Sequence, residues 1–144
     1  MSSKTNAFET SFLNHIFQNA AIANIGDGPG LPAAATVGDL YVALFTTSPT
    51  ETGGGTEATF GAYARQAVAR TSGGWTVSGN QASNTAAVTF AECTSGSETI
   101  NGFAIMTAAA SGDMLFYSDV GTPRAVSTGV TLEFAIGAIT ITED

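Results

Sequence analysis

The chain carries few side chains that could perform acid–base or nucleophilic chemistry. It has one His and one Cys among 144 residues. A Ser, Thr or Cys nucleophile needs a base beside it, and His15 is the sole imidazole that could serve. His15 lies next to Ile16 and Phe17 in a helical pattern, which favours a boundary position on a helix over the role of a general base. We therefore predict that the protein is not an enzyme.

Sites for metals, phosphates and sugars are equally poorly supported. The segment that begins at Asp27 lacks the further acids of an EF-hand loop, and residues 53–55 form a Gly triplet without the Lys-Ser/Thr of a phosphate-binding loop. Trp75, Tyr63 and Tyr117 could stack on a sugar, although aromatic residues in β domains mainly fill the core. A carboxylate pair for glycoside hydrolysis stays open, because separation in sequence says nothing about separation in space. We expect no cofactor and no metal.

The charge of the chain excludes two classes of partner. The formal net charge is −8, and the acidic residues are scattered along the sequence. Phosphate binding needs clustered basic residues, whereas the four of this chain are spread from end to end: Lys4, Arg65, Arg70 and Arg124. We therefore expect neither nucleic acid nor anionic membrane as a partner. The start of the chain also lacks the apolar run of a signal peptide, and no stretch approaches the about 18 apolar residues of a membrane span.

Residues 7–24 have the periodicity of an amphipathic helix. Asn6 is the predicted N-cap, with Glu9 completing a capping-box-like pair, and Gly26 is the predicted end. Five large apolar residues recur on one broad face and form the candidate interface: Phe8, Phe12, Leu13, Ile16 and Phe17. Two interpretations stay open, because this face could pack on the β domain of the same chain or on a neighbouring subunit.

From Leu40 onward the apolar pattern has the period of β-strands. Strands are predicted at residues 40–45, 64–70, 75–78, 85–90, 99–108, 113–120, 125–127, 130–135 and 138–143. A turn at residues 72–74 predicts a hairpin between the second and third of these, and residues 108–113 predict another. The pattern predicts a mainly β fold, either an antiparallel β-sandwich or a small jelly-roll-like barrel, with one N-terminal helix.

The length of 144 residues suits one domain, so we predict a single β domain over residues 1–144. Residues 46–63 are predicted to form a long Gly-rich loop, which the Gly triplet at 53–55 should make mobile. Cys93 has no cysteine to pair with, so no intrachain disulfide can form.

A set of segments spread over nearly the whole chain carries a family resemblance: NAFE and LNHIF, LYVALFTTSPTE, YARQAVARTSGGWT, SNTAAVTF, INGFAIM and FAIGAITITED. Through these segments the sequence resembles a family of small virion proteins of tailed bacteriophages. Members are described as structural, tail-fibre-like or head-associated proteins, and the family brings no catalytic motif. The resemblance implies assembly in a bacterial host cytoplasm, residence in the virion, and other virion proteins as partners.

Two functions of different classes follow from this reading. The first is an accessory protein that binds as an oligomer to the capsid or neck and decorates or cements it. The second is a tail-fibre or adhesin domain whose loops contact host glycans. An enzyme such as a depolymerase has no support beyond the unassigned carboxylates. Burial of the helix face in the chain's own core, with Trp75 or Tyr63 exposed in a groove, would favour the glycan-binding alternative.

Overall fold

The structure is a computed structural model that describes residues 3–26 and 28–144; Asp27, considered above as the start of a calcium loop, lies outside these residues. It is mainly β, with antiparallel sheets and one N-terminal helix, as predicted. No sheet in the described residues closes into a barrel, which favours the sandwich alternative. The elements are α1 (Asn6–Gln18), β1 (Asp39–Thr47), β2 (Thr56–Glu57), β3 (Gln66–Ala69), β4 (Trp75–Ser78), β5 (Gln81–Asn84), β6 (Val88–Thr89), β7 (Ser97–Met106), β8 (Met114–Ser127), β9 (Glu133–Phe134) and β10 (Thr140–Thr142).

The chain divides into two compact units, each built from separate stretches of sequence. The first draws on the described residues of Met1–Asp39, Ala69–Ala87 and Phe134–Asp144, and the second consists of Leu40–Val68 and Val88–Glu133. The single domain over residues 1–144 therefore stays a prediction.

The helix α1 begins where the sequence predicts and ends earlier. Thr5, rather than Asn6, is the N-cap, and its hydroxyl accepts a hydrogen bond from the Phe8 N–H at 3.3 Å. The predicted end at residue 24 is wrong, because Asn19 takes the left-handed conformation with φ 52°. The Asn19 amide then bonds the N–H and the C=O of Ala34, at 2.8 and 2.9 Å. This distant contact ends the helix although apolar residues continue the pattern.

The sheet of the first unit has the order β10-β5-β4. The predicted hairpin through residues 72–74 is wrong, because β4 pairs with β5 in the register Trp75↔Asn84 to Ser78↔Gln81. Gly79 and Asn80 form the two-residue connection, and Gly79 has φ 60°, which suits a Gly-first hairpin turn. Strand β5 follows this turn and was not predicted. Its polar sequence, Gln-Ala-Ser-Asn, has little strand signal.

Asn84 ties the end of the chain to this sheet. It is almost completely buried, its Oδ1 accepts from the Ile139 N–H at 2.8 Å, and its Nδ2 donates to the carbonyls of Ala86 and Ala135, each at 2.8 Å. Both N–H donors of this buried amide and its oxygen are therefore paired. Asn84 thus holds the segment that leads into β10.

The sheet of the second unit has the order β2-β1-β7-β8, and β3 also pairs with β1. Strands β1 and β7 are antiparallel, from Tyr41↔Met106 to Phe45↔Gly102. The predicted hairpin at residues 108–113 is confirmed, since it connects β7 to β8. Strand β8 merges the two strands predicted at 113–120 and 125–127 into one that is interrupted by register shifts.

The Gly-rich segment 46–63 contains the short strand β2 and is tied down at several points. The Ser48 hydroxyl donates to the Asp119 carboxylate, and both oxygens of Glu98 accept from Thr59, through its N–H at 3.0 and 3.1 Å and its hydroxyl at 2.7 Å. The Gly61 N–H donates to the Ser95 carbonyl at 2.8 Å. These bonds attach the segment to the rest of the second unit, and its mobility stays a prediction.

Candidate assembly surface on the N-terminal helix

The apolar face of α1 consists of two parallel stripes with four-residue spacing. The inner stripe is Glu9, Leu13 and Phe17, all buried, and the outer stripe is Phe8, Phe12 and Ile16, which are exposed or half-buried. Residues four apart lie on the same side of a helix, so each stripe runs along one edge of the face. The five predicted interface residues are therefore divided between two different surroundings.

The inner stripe packs within the first unit. Leu13 and Phe17 have no exposed surface, and the Phe17 ring lies 4.7 Å from the Trp75 ring, centroid to centroid. Gln18 Nε2 also donates to the Trp75 carbonyl at 2.7 Å, and the Thr10 hydroxyl donates to the Gly79 carbonyl at 2.7 Å. These contacts attach the helix firmly to β4 and the turn after it. Within the folded unit, Leu13 and Phe17 have no surface to offer a partner.

The outer stripe is the part of the predicted interface that a partner could reach. Phe8 is 38% exposed, and its ring centroid lies 6.4 Å from that of Phe12, within the usual range of an aromatic pair. Phe12 and Ile16 are half-buried. A folded helix thus presents a row of two aromatic rings and one aliphatic side chain at its edge.

Arg70 binds the C-terminal end of the helix and connects it to a neighbouring segment. Its guanidinium donates to the carbonyls of Ile16 and His15, each at 2.7 Å, and to the Val37 carbonyl at 3.3 Å. Positive charge at the last turn of a helix is favourable because of the helix dipole. The same contact brings the backbone at Val37 close to the C-terminal end of the outer stripe. The sequence gives no sign of this role, because Arg70 reads only as the last residue of a strand.

The segment that Arg70 holds is itself apolar and exposed. Every residue from 31 to 39 is exposed, including Leu31 at 43% and Val37 at 38%. We use the name helix-edge surface for the outer stripe together with these two residues: Phe8, Phe12, Ile16, Leu31 and Val37. Exposed apolar side chains that lie together can mark an interaction site.

Two of the three aromatic residues considered for sugar stacking are unavailable. Trp75 is completely buried. The Tyr63 hydroxyl accepts from the Leu44 N–H at 3.0 Å and donates to Glu57 at 2.8 Å. Its ring centroid lies 5.3 Å from that of Phe60 and 6.2 Å from that of Phe90. Tyr117, on β8, is 40% exposed and keeps a free ring surface.

Three titratable residues of the second unit, Glu57, Tyr63 and Arg65, form a clamp. Arg65 donates to both carboxylate oxygens of Glu57, from Nε and Nη2 at 2.8 Å each, and its Nη1 donates to the carbonyls of Ala108 and Ser111 at 2.8 and 2.7 Å. The hydrogen bond from Arg65 holds the pKa of Glu57 below its usual value, and burial raises the pKa of Tyr63. The clamp joins β2 to the β7–β8 turn, which is a structural task.

The remaining chemical groups are occupied or enclosed. The His15 Nδ1 lies 2.7 Å from the Ala20 carbonyl. Cys93 is fully buried, with its Sγ 3.2 Å from the Ser95 carbonyl. Among residues 3–26 and 28–144, no three His, Cys, Asp or Glu side chains are grouped so that they could hold a metal ion. No helix in the same part of the chain is long and apolar enough to span a bilayer.

Comparison with known proteins identifies the family. No curated protein matches the chain. A family model described as Podophage GP4 fiber I protein gp80 matches residues 3–142. This match confirms the resemblance to phage virion proteins. The matched residues include the helix-edge surface and the clamp. The chain therefore belongs to the Podophage GP4 fiber I protein gp80 family and is a structural protein of the phage virion.

Proposed function

We propose that the protein is a non-enzymatic subunit of a phage fibre and that it joins the particle through its helix-edge surface. The observation that carries this proposal is the division of α1 into two stripes. The inner stripe fixes the helix to its own unit, so the outer stripe is presented on a rigid support. Preformed surfaces bind with less loss of conformational entropy than mobile ones.

The exposed part of the surface is large enough to matter for binding. A Phe side chain buries roughly 200 Å² when fully covered, and 38% of the Phe8 surface is open. Covering the remaining area of Phe8 alone would contribute about 2 kcal/mol at about 25 cal/mol per Å². Leu31 and Val37 add similar fractions of exposed apolar area. Phe12, partly buried beside Phe8, completes an aromatic pair of the kind that is enriched at interfaces.

Two positions on the particle suit such a subunit. The family description points to a fibre, and decoration or cementing of the capsid or neck exterior would use the same surface on a different neighbour. Glycan binding as an adhesin loses the support of Trp75 and Tyr63, because the first is buried and the second is held by Glu57 and Leu44. The fibre position is therefore the one that we propose, with structural attachment as its task.

The test is incorporation into particles that lack the native chain. We expect Phe8→Ser to reduce the amount of protein that co-purifies with such particles, because it replaces the most exposed ring of the stripe by a polar group. Ile136→Ser is the matched control, since Ile136 is an exposed apolar residue of the same unit that does not belong to the helix-edge surface. Equal incorporation of both variants and the wild type would contradict the role of the helix-edge surface. Location of the chain by particle reconstruction then decides between fibre and capsid or neck.

A further inference from the structure

Strand β7 carries the sole Asn-Gly pair of the chain, Asn101-Gly102. Such a pair is chemically reactive, because the amide nitrogen that follows an Asn can attack the Asn side-chain carbonyl carbon, and a Gly at that point has no Cβ to hinder the approach. The new N–Cγ bond forms as the Cγ–Nδ2 bond breaks, and Nδ2 leaves as ammonia. Water then opens the cyclic imide to Asp or to isoaspartate, which adds a methylene group to the backbone.

Packing requires Gly as the second residue of this pair. Gly102 is buried, and a Cβ at this position would lie 2.7 Å from the Ser48 hydroxyl oxygen, 3.2 Å from the Ser48 Cα and 3.1 Å from the Ser118 carbonyl oxygen. Two of these three neighbours are backbone atoms. A Gly in a strand often marks a place where another backbone approaches closely, and the fold therefore keeps Gly here although it makes the pair reactive.

A hydrogen bond of the side chain fixes Asn as the first residue of the pair. Asn101 Nδ2 donates to the Thr46 carbonyl of β1 at 2.6 Å and to the Thr99 carbonyl at 3.4 Å. Asn101 lies at the register shift between Ile100 and Gly102, where the pairing of β7 with β8 is interrupted. The side-chain amide thus attaches β7 to β1 at a point where the regular ladder is broken. A carboxylate at this position would lose the donor and would face two carbonyl oxygens.

The sheet also holds the nitrogen that would attack. The Leu44 N–H donates to the Tyr63 hydroxyl at 3.0 Å, and the Leu44 carbonyl accepts from the Ala58 N–H at 2.9 Å, so neither group of Leu44 bonds to β7. Hydrogen-bonded and non-hydrogen-bonded pairs alternate along an antiparallel ladder. The next residue, Phe45, therefore exchanges both backbone bonds with Gly102, its partner in the register. The Gly102 nitrogen is thus bonded to the carbonyl of a buried residue.

We propose that Asn101 is a deamidation site that the folded sheet protects and that the separation of β1 from β7 exposes. Both reacting groups are bonded to β1, Nδ2 through Thr46 and the Gly102 nitrogen through Phe45, so one opening event releases them together. The reaction is irreversible once ammonia has left. Asp lacks the donor for the Thr46 carbonyl, and isoaspartate alters the spacing of the β7 backbone. A chain that stays unfolded is therefore converted into one that cannot rebuild this part of the sheet, whatever its position in the particle.

The first test measures deamidation of Asn101 by peptide mass spectrometry, on the full chain in its native state and in urea at the same mildly alkaline pH and temperature. A protected site reacts in proportion to the population of its open form. We expect the unfolded chain to react at least about tenfold faster, which corresponds to an opening free energy of about 1.4 kcal/mol or more. In urea, where packing is absent, Gly102→Ala should react more slowly than the wild type, because its Cβ hinders the attack.

The second test measures what the product does to the fold. Asn101→Asp reproduces the aspartate product and should lower the midpoint of thermal unfolding. Asn24→Asp is the matched control, since it makes the same change, from net charge −8 to −9, at an exposed residue, and its midpoint should stay close to that of the wild type.

Three results would overturn the inference. Equal rates in the native state and in urea would show that the sheet does not protect Asn101. An unreacted Asn101 in urea would show that the pair is not reactive. An Asn101→Asp variant as stable as Asn24→Asp would show that the product can still form the sheet.

Discussion

The two stripes of α1 should respond differently to truncation, and the pair Leu13→Ala and Phe8→Ala measures the difference. Leu13 has no exposed surface, so its truncation leaves a cavity and should cost about 2.7–5 kcal/mol of unfolding free energy. Phe8 is 38% exposed and rests on a helix edge that water can reach. Its truncation should cost only about 1–2 kcal/mol.

These values translate into distinct thermal midpoints. For a chain of this length, 1 kcal/mol shifts Tm by about 3 °C, so Leu13→Ala should unfold about 8–15 °C lower and Phe8→Ala about 3–6 °C lower. Circular dichroism melts and urea titrations of both variants provide the measurement. Incorporation into particles, assayed well below either midpoint, should show the reverse order, with Phe8→Ala impaired and folded Leu13→Ala close to the wild type.

One result would refute this account of the helix. If Phe8→Ala lowers Tm as much as Leu13→Ala does, then the outer stripe is part of the core and not a presented surface. If instead Phe8→Ala loses neither stability nor incorporation, the stripe is covered by nothing in the particle, and the helix-edge surface has no role in assembly.

Three further predictions concern the contacts that hold each unit. Asn84→Asp should lower the unfolding free energy by about 3–5 kcal/mol at pH 7, because two hydrogen-bond donors are lost and a buried carboxylate faces the Ala86 and Ala135 carbonyls. A denaturant titration in which this variant unfolds at the same midpoint as the wild type would contradict this. Since Arg65 lowers the pKa of Glu57 below its ordinary 4.5, the ionised Glu57 stabilises the fold above the unfolded-state pKa, and this stabilisation disappears as the pH falls through the folded-state pKa. The stabilities of the wild type and Glu57→Gln should therefore differ at neutral pH and converge in acid, and parallel pH–stability curves would disprove the clamp. Gly54→Ala and Gly55→Ala should both be destabilised by the backbone strain at φ near 80°, but Gly55→Ala should melt at the lower temperature, because only there would a Cβ lie 2.6 Å from the Thr47 carbonyl oxygen. Equal decreases in melting temperature would contradict that packing.

Local patterns in the sequence are sufficient for several features of this protein. The start of α1, the buried strand at residues 40–45 and the turn at 108–113 each follow from signals within a few residues. The family resemblance also predicted a phage virion protein, which the match over residues 3–142 confirms. These features share one physical basis, because periodicity, capping and turn formation depend on neighbours in the chain.

Contacts between distant residues decided the features that the sequence did not predict. Asn19 ends α1 by bonding Ala34, and β4 pairs with the polar strand β5 rather than with the strand before it. Helical spacing placed five residues on one face without distinguishing the stripe that packs beside Trp75 from the stripe that stays open. On β7, only the pairing with β1 bonds both reacting groups of the Asn101-Gly102 pair. A local pattern specifies which side of a helix or strand is apolar. Which other element that side packs against depends on the packing free energy of the whole unit, and a short stretch of sequence does not determine this free energy.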